Sequence, residues 1–424
     1  MMRRVLLVTT FYPPYSFGGD AVDMQVWADA LARRGCDVTV VHDLDAYQTL
    51  AAPTGLPSPG PLPGGGGAAQ PGVEVIGLRS RLGRLGLLMT HQTGHPVVHG
   101  AALRRLCAER GFDTVLFANV SLMGGPAVFA ICPGAVHVFV ATEHWLICPT
   151  HVLWRYDGRP CDERRCLRCT LLHRRPPQLW RHAGLLDRAA RDIDVFVARS
   201  EFSRRKHREY GFLPPMEVVP CFVAAPSPSR APSRSPHARP YFLFAGRVEE
   251  LKGLADVLPL FMHERGADLV IAGTGAAEAA LRAASAASPH VRWLGFVPRD
   301  ELARWYRHAV ALVMPSVTYE TFGIVVIEAL SHGTPVIARR RGPLPELIER
   351  GGGGVLFDTA DQLDAALRDI LADDRMRKTL AAQAEASFRA NFSEEAVLPR
   401  FLGIVEAARQ RLTAAVSDRM AVGP

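Results

Sequence analysis

Short apolar runs alternate with longer amphipathic stretches along most of the chain. Arg4–Thr10 is rich in Val and Leu, a Gly/Pro-rich loop follows, and a helical pattern runs from about Ala21 to Arg34. Gly35 closes that helix and Asp37–His42 begins the next strand, as expected where glycine ends one element and a β-branched run starts another. The same order recurs at Val73–Leu78, Thr114–Asn119, Val136–Thr142 and Val195–Arg199. A second series comprises Tyr241–Ala245, Asp268–Ala272, Val291–Leu294, Ala311–Met314, Pro335–Ala338 and Gly354–Phe357, and amphipathic helices follow from about Asp361 to Arg411. Strands alternating with helices predict an α/β architecture of doubly wound parallel sheets, with ligands at the carboxyl ends of the strands.

Two low-complexity stretches punctuate this pattern. The Pro/Gly segment 53–72 predicts a surface loop inside the first domain, and PSPSRAPSRSPHARP over 226–240 has nothing to bury and predicts a linker. A chain of 424 residues exceeds one compact core. The expected organisation is a first domain over residues 1–225, the linker over 226–240, a second domain over 241–395 and a helical C-terminal segment over 396–424. From Thr114 to Thr142 there is no Asp, Glu, Lys or Arg, which is long enough to raise a membrane span. Gly124-Gly125-Pro126 and Cys132-Pro133-Gly134 divide it, so it reads as strand, short helix and strand in the middle of a parallel sheet.

At 48% hydrophobic and 21% charged, the composition is that of a globular protein and excludes a disordered or fibrous chain. The formal charge of +7 comes largely from Arg. It suits phosphate-bearing ligands, anionic lipid or nucleic acid without choosing among them. The apolar stretch after Arg3 and Arg4 is short and broken by Pro13-Pro14, so no secretion signal is read there and a cytoplasmic location is expected. RSEFSRRKHR over Arg199–Arg208 fits either a solvated helix face or peripheral contact with an anionic membrane.

Two segments carry the chemistry. In FAGRVEELKG, Phe244–Gly253, a strand ends at Gly246-Arg247 and Lys252-Gly253 starts a helix; two cations beside a helix N-terminus suit a diphosphate. In ETFGIVVIE, Glu320 and Glu328 flank an apolar core. With a helix beginning near Phe322, Glu320 sits in the preceding loop and Glu328 about two turns in, and both carboxylates can accept hydroxyl hydrogen bonds.

Their context is more specific. LFAGRVEELKG, VIAGTG, LGFVPRDEL, PSVTYETFGIVVIEALSHGTPVIA and GPLPELIERGGGGVLF occur in order over 243–357, and TTFYPPYSFGGDAVDMQVWADALARRGCDVTVV opens the chain. The sequence resembles glycosyltransferase family 4, of GT-B fold, over most of its length. The resemblance implies two Rossmann-like domains facing a cleft, retention of configuration and catalysis without a metal. It makes Arg247 and Lys252 the pair that holds and stabilises the leaving diphosphate. Glu328 becomes the carboxylate on the ribose hydroxyls and Glu320 the one facing the donor sugar. Phe322, Gly323 and Ile324 would bring backbone amides to sugar and phosphate, and Gly18 and Gly19 match the glycine loop closing over the donor, although a plain turn capped by Asp20 fits those two as well. One position departs: where many relatives carry His-Asp six residues before Cys-Pro, this chain has Thr142-Glu143 and then His144. The acceptor-side role passes to Glu143 or His144, or these residues tie the following insert to the sheet.

That insert, 143–180, contains CPTHVLWRYDGRPCDERRCLRC. Cys148, Cys161, Cys166 and Cys169 are separated by twelve, four and two residues, a spacing that can close a structural zinc site. An iron–sulfur cluster is the alternative. Arg159, Arg164, Arg165 and Arg168 make the segment too polar for a core. Trp145, Trp154 and Trp180 around it either fill its small core or stack on an acceptor sugar. The other cysteines, Cys36, Cys107, Cys132 and Cys221, read as small buried hydrophobes, since a cytoplasmic chain carries no disulfide framework.

The expected function is a retaining, metal-independent glycosyltransferase: a UDP-, GDP- or ADP-sugar donor held by the second domain, and a glycan or lipid-linked acceptor by the first. A nucleotide-sugar epimerase of the same fold would need an acid/base pair and no acceptor. A nucleic-acid-binding zinc protein leaves residues 243–357 unexplained.

Overall fold

The computed structural model describes residues 2–51, 71–226 and 234–421. Most of the Pro/Gly loop 53–72 and the middle of the linker 226–240 lie outside the described residues. The chain divides into two compact units. The first takes in residues up to Arg199, Ser203–Val219 and the chain from Leu398 onward; the second takes in Ser200–Phe202 and Pro220–Val397.

Among the described residues the first unit holds seven strands: β1 (Arg4–Val8), β2 (Asp37–Asp43), β3 (Val73–Leu78), β4 (Thr114–Phe117), β5 (Val136–Ala141), β6 (Val195–Ala198) and β7 (Met216–Val218). Their order is β3-β2-β1-β4-β5-β6-β7, all parallel, with Val5 opposite both Val38 and Thr114. The chain winds outward from β1 through β2 to β3, returns to β4 and winds the other way, so the direction reverses between β1 and β4. The uncharged stretch 114–142 is β4, a 3-10 turn Gly125–Ala130 and β5, every residue of both strands buried. Strand β7 is too short to show a pattern, and the sequence does not announce it.

The second unit has β8 (Tyr241–Ala245), β9 (Asp268–Ala272), β10 (Val291–Gly295), β11 (Ala311–Met314), β12 (Val336–Arg339) and β13 (Gly354–Phe357), ordered β10-β9-β8-β11-β12-β13 and all parallel. Its apolar runs are continuous because both faces are covered. Tyr241, Leu243 and Ala245 pack with Val326, Ile327 and Leu330 on one face. Phe242 and Phe244, one residue out of phase, pack with Leu254, Val257 and Phe261 on the other. Each such side chain withdrawn from water contributes about 1.5–3 kcal/mol, which no local helix propensity approaches. The reversal here falls between β8 and β11.

The C-terminal helices are Ala360–Ala372, opened by a Thr359/Gln362 capping box, Asp374–Asn391, capped by Asp373, and Glu394–Ala421 with Pro399 inside it. Among the described residues no helix is long and apolar enough to cross a membrane.

Two readings change. Cys107, in the helix Gly100–Arg110, and Cys132, just before β5, form a disulfide with Cα atoms 5.2 Å apart; cysteine spacing alone could not show that the sheet brings these two together. The stretch Arg199–Arg208 is not uniformly a solvated basic face. Arg199 is buried, ion-paired with Asp23 and 4.8 Å from the Trp27 ring, and His207 is buried as well. A guanidinium out of water is tolerated only with such partners.

Candidate functional site: the loops at the second switch point

Strands β8 and β11 are neighbours whose connections leave in opposite directions, and the loops after them carry the predicted cations and Glu320. The loop after β8 is clamped by the loop after β9: Gly246 N donates to Ala272 O at 3.0 Å and Val248 N to Thr274 O at 2.9 Å. Gly273, at φ +144°, has no room for a side chain, since a Cβ would lie 1.9 Å from Gly246 O. On its other side Gly253, at φ +67°, abuts Pro315, whose carbonyl oxygen would be 2.2 Å from an added Cβ. Val317 N donates to Leu251 O at 3.0 Å. Arg247 and Lys252 therefore stand on a segment fixed by backbone at both flanks.

Arg247 is half-exposed and donates to Glu249 Oε1 at 2.6 Å. Lys252 Nζ donates to Glu320 Oε1 at 2.7 Å, and Ser316 Oγ donates to the same oxygen at 2.6 Å. Burial works to raise the Glu320 pKa, but Lys252, Ser316 and Arg247 outweigh it and hold the carboxyl below its ordinary range. Glu320 is thus an ionised, largely buried carboxylate with one oxygen already engaged.

The helix following Glu320 is Ile324–Ser331, later than the expected start near Phe322, because Gly323 takes φ +112° and serves as its cap while Phe322 is buried against Phe392. The first amides of a helix have no partner within it and face outward from its N-terminus. Glu328 stands in the second turn, closer to the start than two full turns, because the helix begins later. Arg299 lies 3.1 Å from its Oε1 and Tyr306 donates its hydroxyl to Oε2 at 3.0 Å. Burial raises its pKa, with Arg299 and Tyr306 acting in the opposite sense. Neither partner was singled out from sequence. Their positions seven apart on the helix Arg299–His308 put them on one face, which was the available signal.

In the first unit, Gly18 and Gly19 open the helix Gly19–Arg33 after β1. Gly18 is extended, at φ −162°, a conformation any residue adopts, so its backbone does not demand glycine. Glu143 follows β5 and pairs with His151 Nδ1 at 2.7 Å through Oε2; its Oε1 is buried without a hydrogen-bond partner. His144 is buried with its ring 5.8 Å from that of His207. The structure does not bring Trp145 and Trp180 to a surface where a sugar could stack: both are buried, 5.4 Å apart, with Arg181 over the Trp180 ring at 4.4 Å.

The four insert thiols line one small cavity together with Thr150, Leu153 and Tyr210. Burial pushes the Cys161 thiol up to about 11, and Cys148, Cys166 and Cys169 lie near enough to push it the same way. Among the described residues no three His, Cys, Asp or Glu side chains are gathered into a ready-made metal centre.

Comparison with known proteins places this arrangement. The family model described as Glycosyltransferase Family 4 matches residues 17–226, and that described as Glycosyl transferases group 1 matches 227–387. A D-inositol 3-phosphate glycosyltransferase of a Nocardioides species is 34% identical over 215 residues, which are 45% of this chain and 46% of that one. The chain spans about half the length of this relative. A sucrose-phosphate synthase from Thermosynechococcus elongatus shares the fold at TM-score 0.71 and 18% identity, over 97% of this chain and 100% of that one. HepE of Anabaena, solved in complex with UDP, does so at TM-score 0.60 and 16% identity, over 99% and 100%. Two adjoining family models, met by two doubly wound sheets, identify the chain as a member of glycosyltransferase family 4.

Proposed function

We propose that the protein transfers a sugar from a nucleotide-sugar donor to a hydroxyl acceptor with retention of anomeric configuration. The donor would be bound by residues 241–395 and the acceptor by residues 1–225. The observation that carries this reading is the joining of Lys252, Ser316 and Glu320 across the β8/β11 switch point, where doubly wound sheets bind ligands.

The roles follow from valence. Lys252 has three N–H donors and spends one on Glu320, so two remain for a diphosphate. Arg247, half-exposed, supplies the second cation. Each Glu328 oxygen accepts one contact, from Arg299 or Tyr306, and keeps a lone pair for a ribose hydroxyl. As the acceptor oxygen bonds to the anomeric carbon, the bond from that carbon to phosphate breaks and its electron pair leaves with the nucleoside diphosphate. Arg247, Lys252 and the amides opening the helix Ile324–Ser331 stabilise that charge. The acceptor's proton departs with the diphosphate on the same face. Glu143 or His144, both in the stretch after β5, orients the acceptor. No metal is required in this scheme, because fixed cations meet the phosphate. The UDP bound by HepE makes a UDP-sugar the first donor to try.

A lipid-linked acceptor is favoured by apolar side chains left exposed in the first unit. Leu85 and Leu88 on the helix Gly83–Thr93, and Leu167, Leu171 and Leu172 on the helix Cys166–Leu172, stand among arginines. Sedimentation with anionic but not neutral vesicles, weakened by salt, is the expected result; no sedimentation with either would remove this acceptor class.

The main test is a thermal-shift and hydrolysis screen against UDP-, GDP- and ADP-sugars, with the product's anomeric configuration read by NMR. One family of donors should stabilise the chain, and EDTA should leave transfer intact over a short assay. A dependence on added magnesium or manganese overturns the cation-pair mechanism. Conversion of a donor sugar without any acceptor points instead to an epimerase.

A further inference from the structure

The transfer reaction does not use the four cysteines of the insert. Their thiols come from three separate pieces of chain. Cys148 follows β5 and its Sγ lies 3.2 Å from Thr150 Oγ1. Cys161 ends a small hairpin closed by the Trp154–Pro160 bridge, with Arg155 N donating to Arg159 O at 2.8 Å and Cys161 N to Leu153 O at 2.7 Å. Cys166 and Cys169 lie three apart in the first turn of the helix Cys166–Leu172, hence on one face. Tyr210 donates its hydroxyl to Cys161 O and so ties the hairpin to the rest of the unit. These pieces converge, and all four cysteines line one cavity of about 20 Å³, room for a single water-sized occupant.

From this convergence we infer that Cys148, Cys161, Cys166 and Cys169 bind one zinc ion whose role is structural. The sulfurs do not stand in coordination geometry as placed, but a change of χ1 rotamer swings a sulfur without moving its backbone. Four thiolates around one ion is a complete tetrahedral set, with no position left for water or substrate. The cavity's size speaks for one ion and against a multi-iron cluster. Four thiolates on Zn²⁺ carry a net charge of about −2, and the surroundings are cationic. Arg181, half-buried and donating to the carbonyls of Leu146 and Trp145, lies near Cys148 and Cys166, and Arg155 lies near Cys169. Burial holds the stretch 155–169 only weakly, since none of its residues is buried and Cys161, Cys166 and Cys169 are half-buried, and just before it His151 and Leu153 have positive φ, at 73° and 49°. Ligation by a metal supplies the folding free energy that burial does not.

The test is elemental analysis of the purified full-length protein, followed by release of the metal with a mercurial reagent. We expect close to one zinc per chain, freed as the thiols are modified. Replacement by Co²⁺ should produce the charge-transfer absorption of thiolate ligation. Cys166→Ser and Cys169→Ser should lose the zinc, while Cys36→Ser and Cys221→Ser, outside the insert, should retain it. Because metal content is read without donor or acceptor, the result is independent of the transferase assignment. A metal-free preparation with four readily alkylated insert thiols overturns the proposal, as does iron with acid-labile sulfide, or zinc unaffected by the insert variants.

Discussion

Glu320 and Glu328 show how one residue type acquires two characters. Both are mostly buried, and burial alone would raise both. Glu320 faces Lys252 and Ser316 and is held below its ordinary range, whereas Glu328, with Arg299 and Tyr306, still ends above it. Glu328 is then the first of the two to take a proton as the pH falls, which would weaken the ribose contacts proposed for it. Donor affinity is expected to weaken on acidification at a higher pH than an ordinary glutamate would dictate, while the Lys252–Glu320 pair persists. Glu328→Gln should reduce affinity by roughly 2–3 kcal/mol at neutral pH and flatten that acid limb, as titration calorimetry at several pH values would show. An acid limb unchanged in the variant would place the responsible group elsewhere. Arg247→Ala, at a half-exposed side chain, is expected to lower turnover by about 100-fold or more with little change in unfolding midpoint.

At the scale of elements, the site depends on loops packed backbone against backbone. Gly253 has a positive φ and no space, because Pro315 O occupies the place of a Cβ. Gly253→Ala should cost about 2 kcal/mol or more and abolish donor binding, since it drives the loop after β8 away from the loop after β11. Gly403, inside the helix Glu394–Ala421, has nothing within 4 Å of the place an added Cβ would take. Gly403→Ala should instead stabilise by about 0.5–1 kcal/mol. Urea unfolding of the two variants checks the contrast, and equal effects would refute the packing argument. Most of these elements were legible in advance. Tyr241–Ala245, Asp268–Ala272, Ala311–Met314 and Gly354–Phe357 stand where the apolar runs end, because a strand covered on both faces must be apolar throughout. The start of the helix after Glu320 was not legible, since Gly323 can either continue a turn or reverse it, and only the folded chain shows it at φ +112°.

Over the whole molecule, acid stability turns on histidines that no transferase role uses. His42 and His207, both in the first unit, are kept neutral chiefly by burial, each lowered to about 4. Below the unfolded value near 6.5 the unfolded chain takes up protons that the fold refuses, so stability is full above about pH 6.5 and falls steadily toward pH 4. Each group should remove about 2 kcal/mol between pH 6.5 and 5. Denaturant midpoints at pH 7 and pH 5 should show the loss, and His207→Gln should lessen it; an identical slope in the variant would count against this origin. What the sequence by itself determined was the doubly wound class, the order of strands along the chain and the loops that carry Arg247, Lys252 and Glu320, because hydrophobic period and glycine placement are local properties. Only the tertiary structure decided which groups meet. It paired Lys252 with Glu320, set Arg299 and Tyr306 on Glu328, joined Cys107 to Cys132 and buried Arg199 against Asp23. Those partners lie far apart in sequence, and which of them touch is fixed by the winding of each sheet about its switch point, which no local pattern encodes.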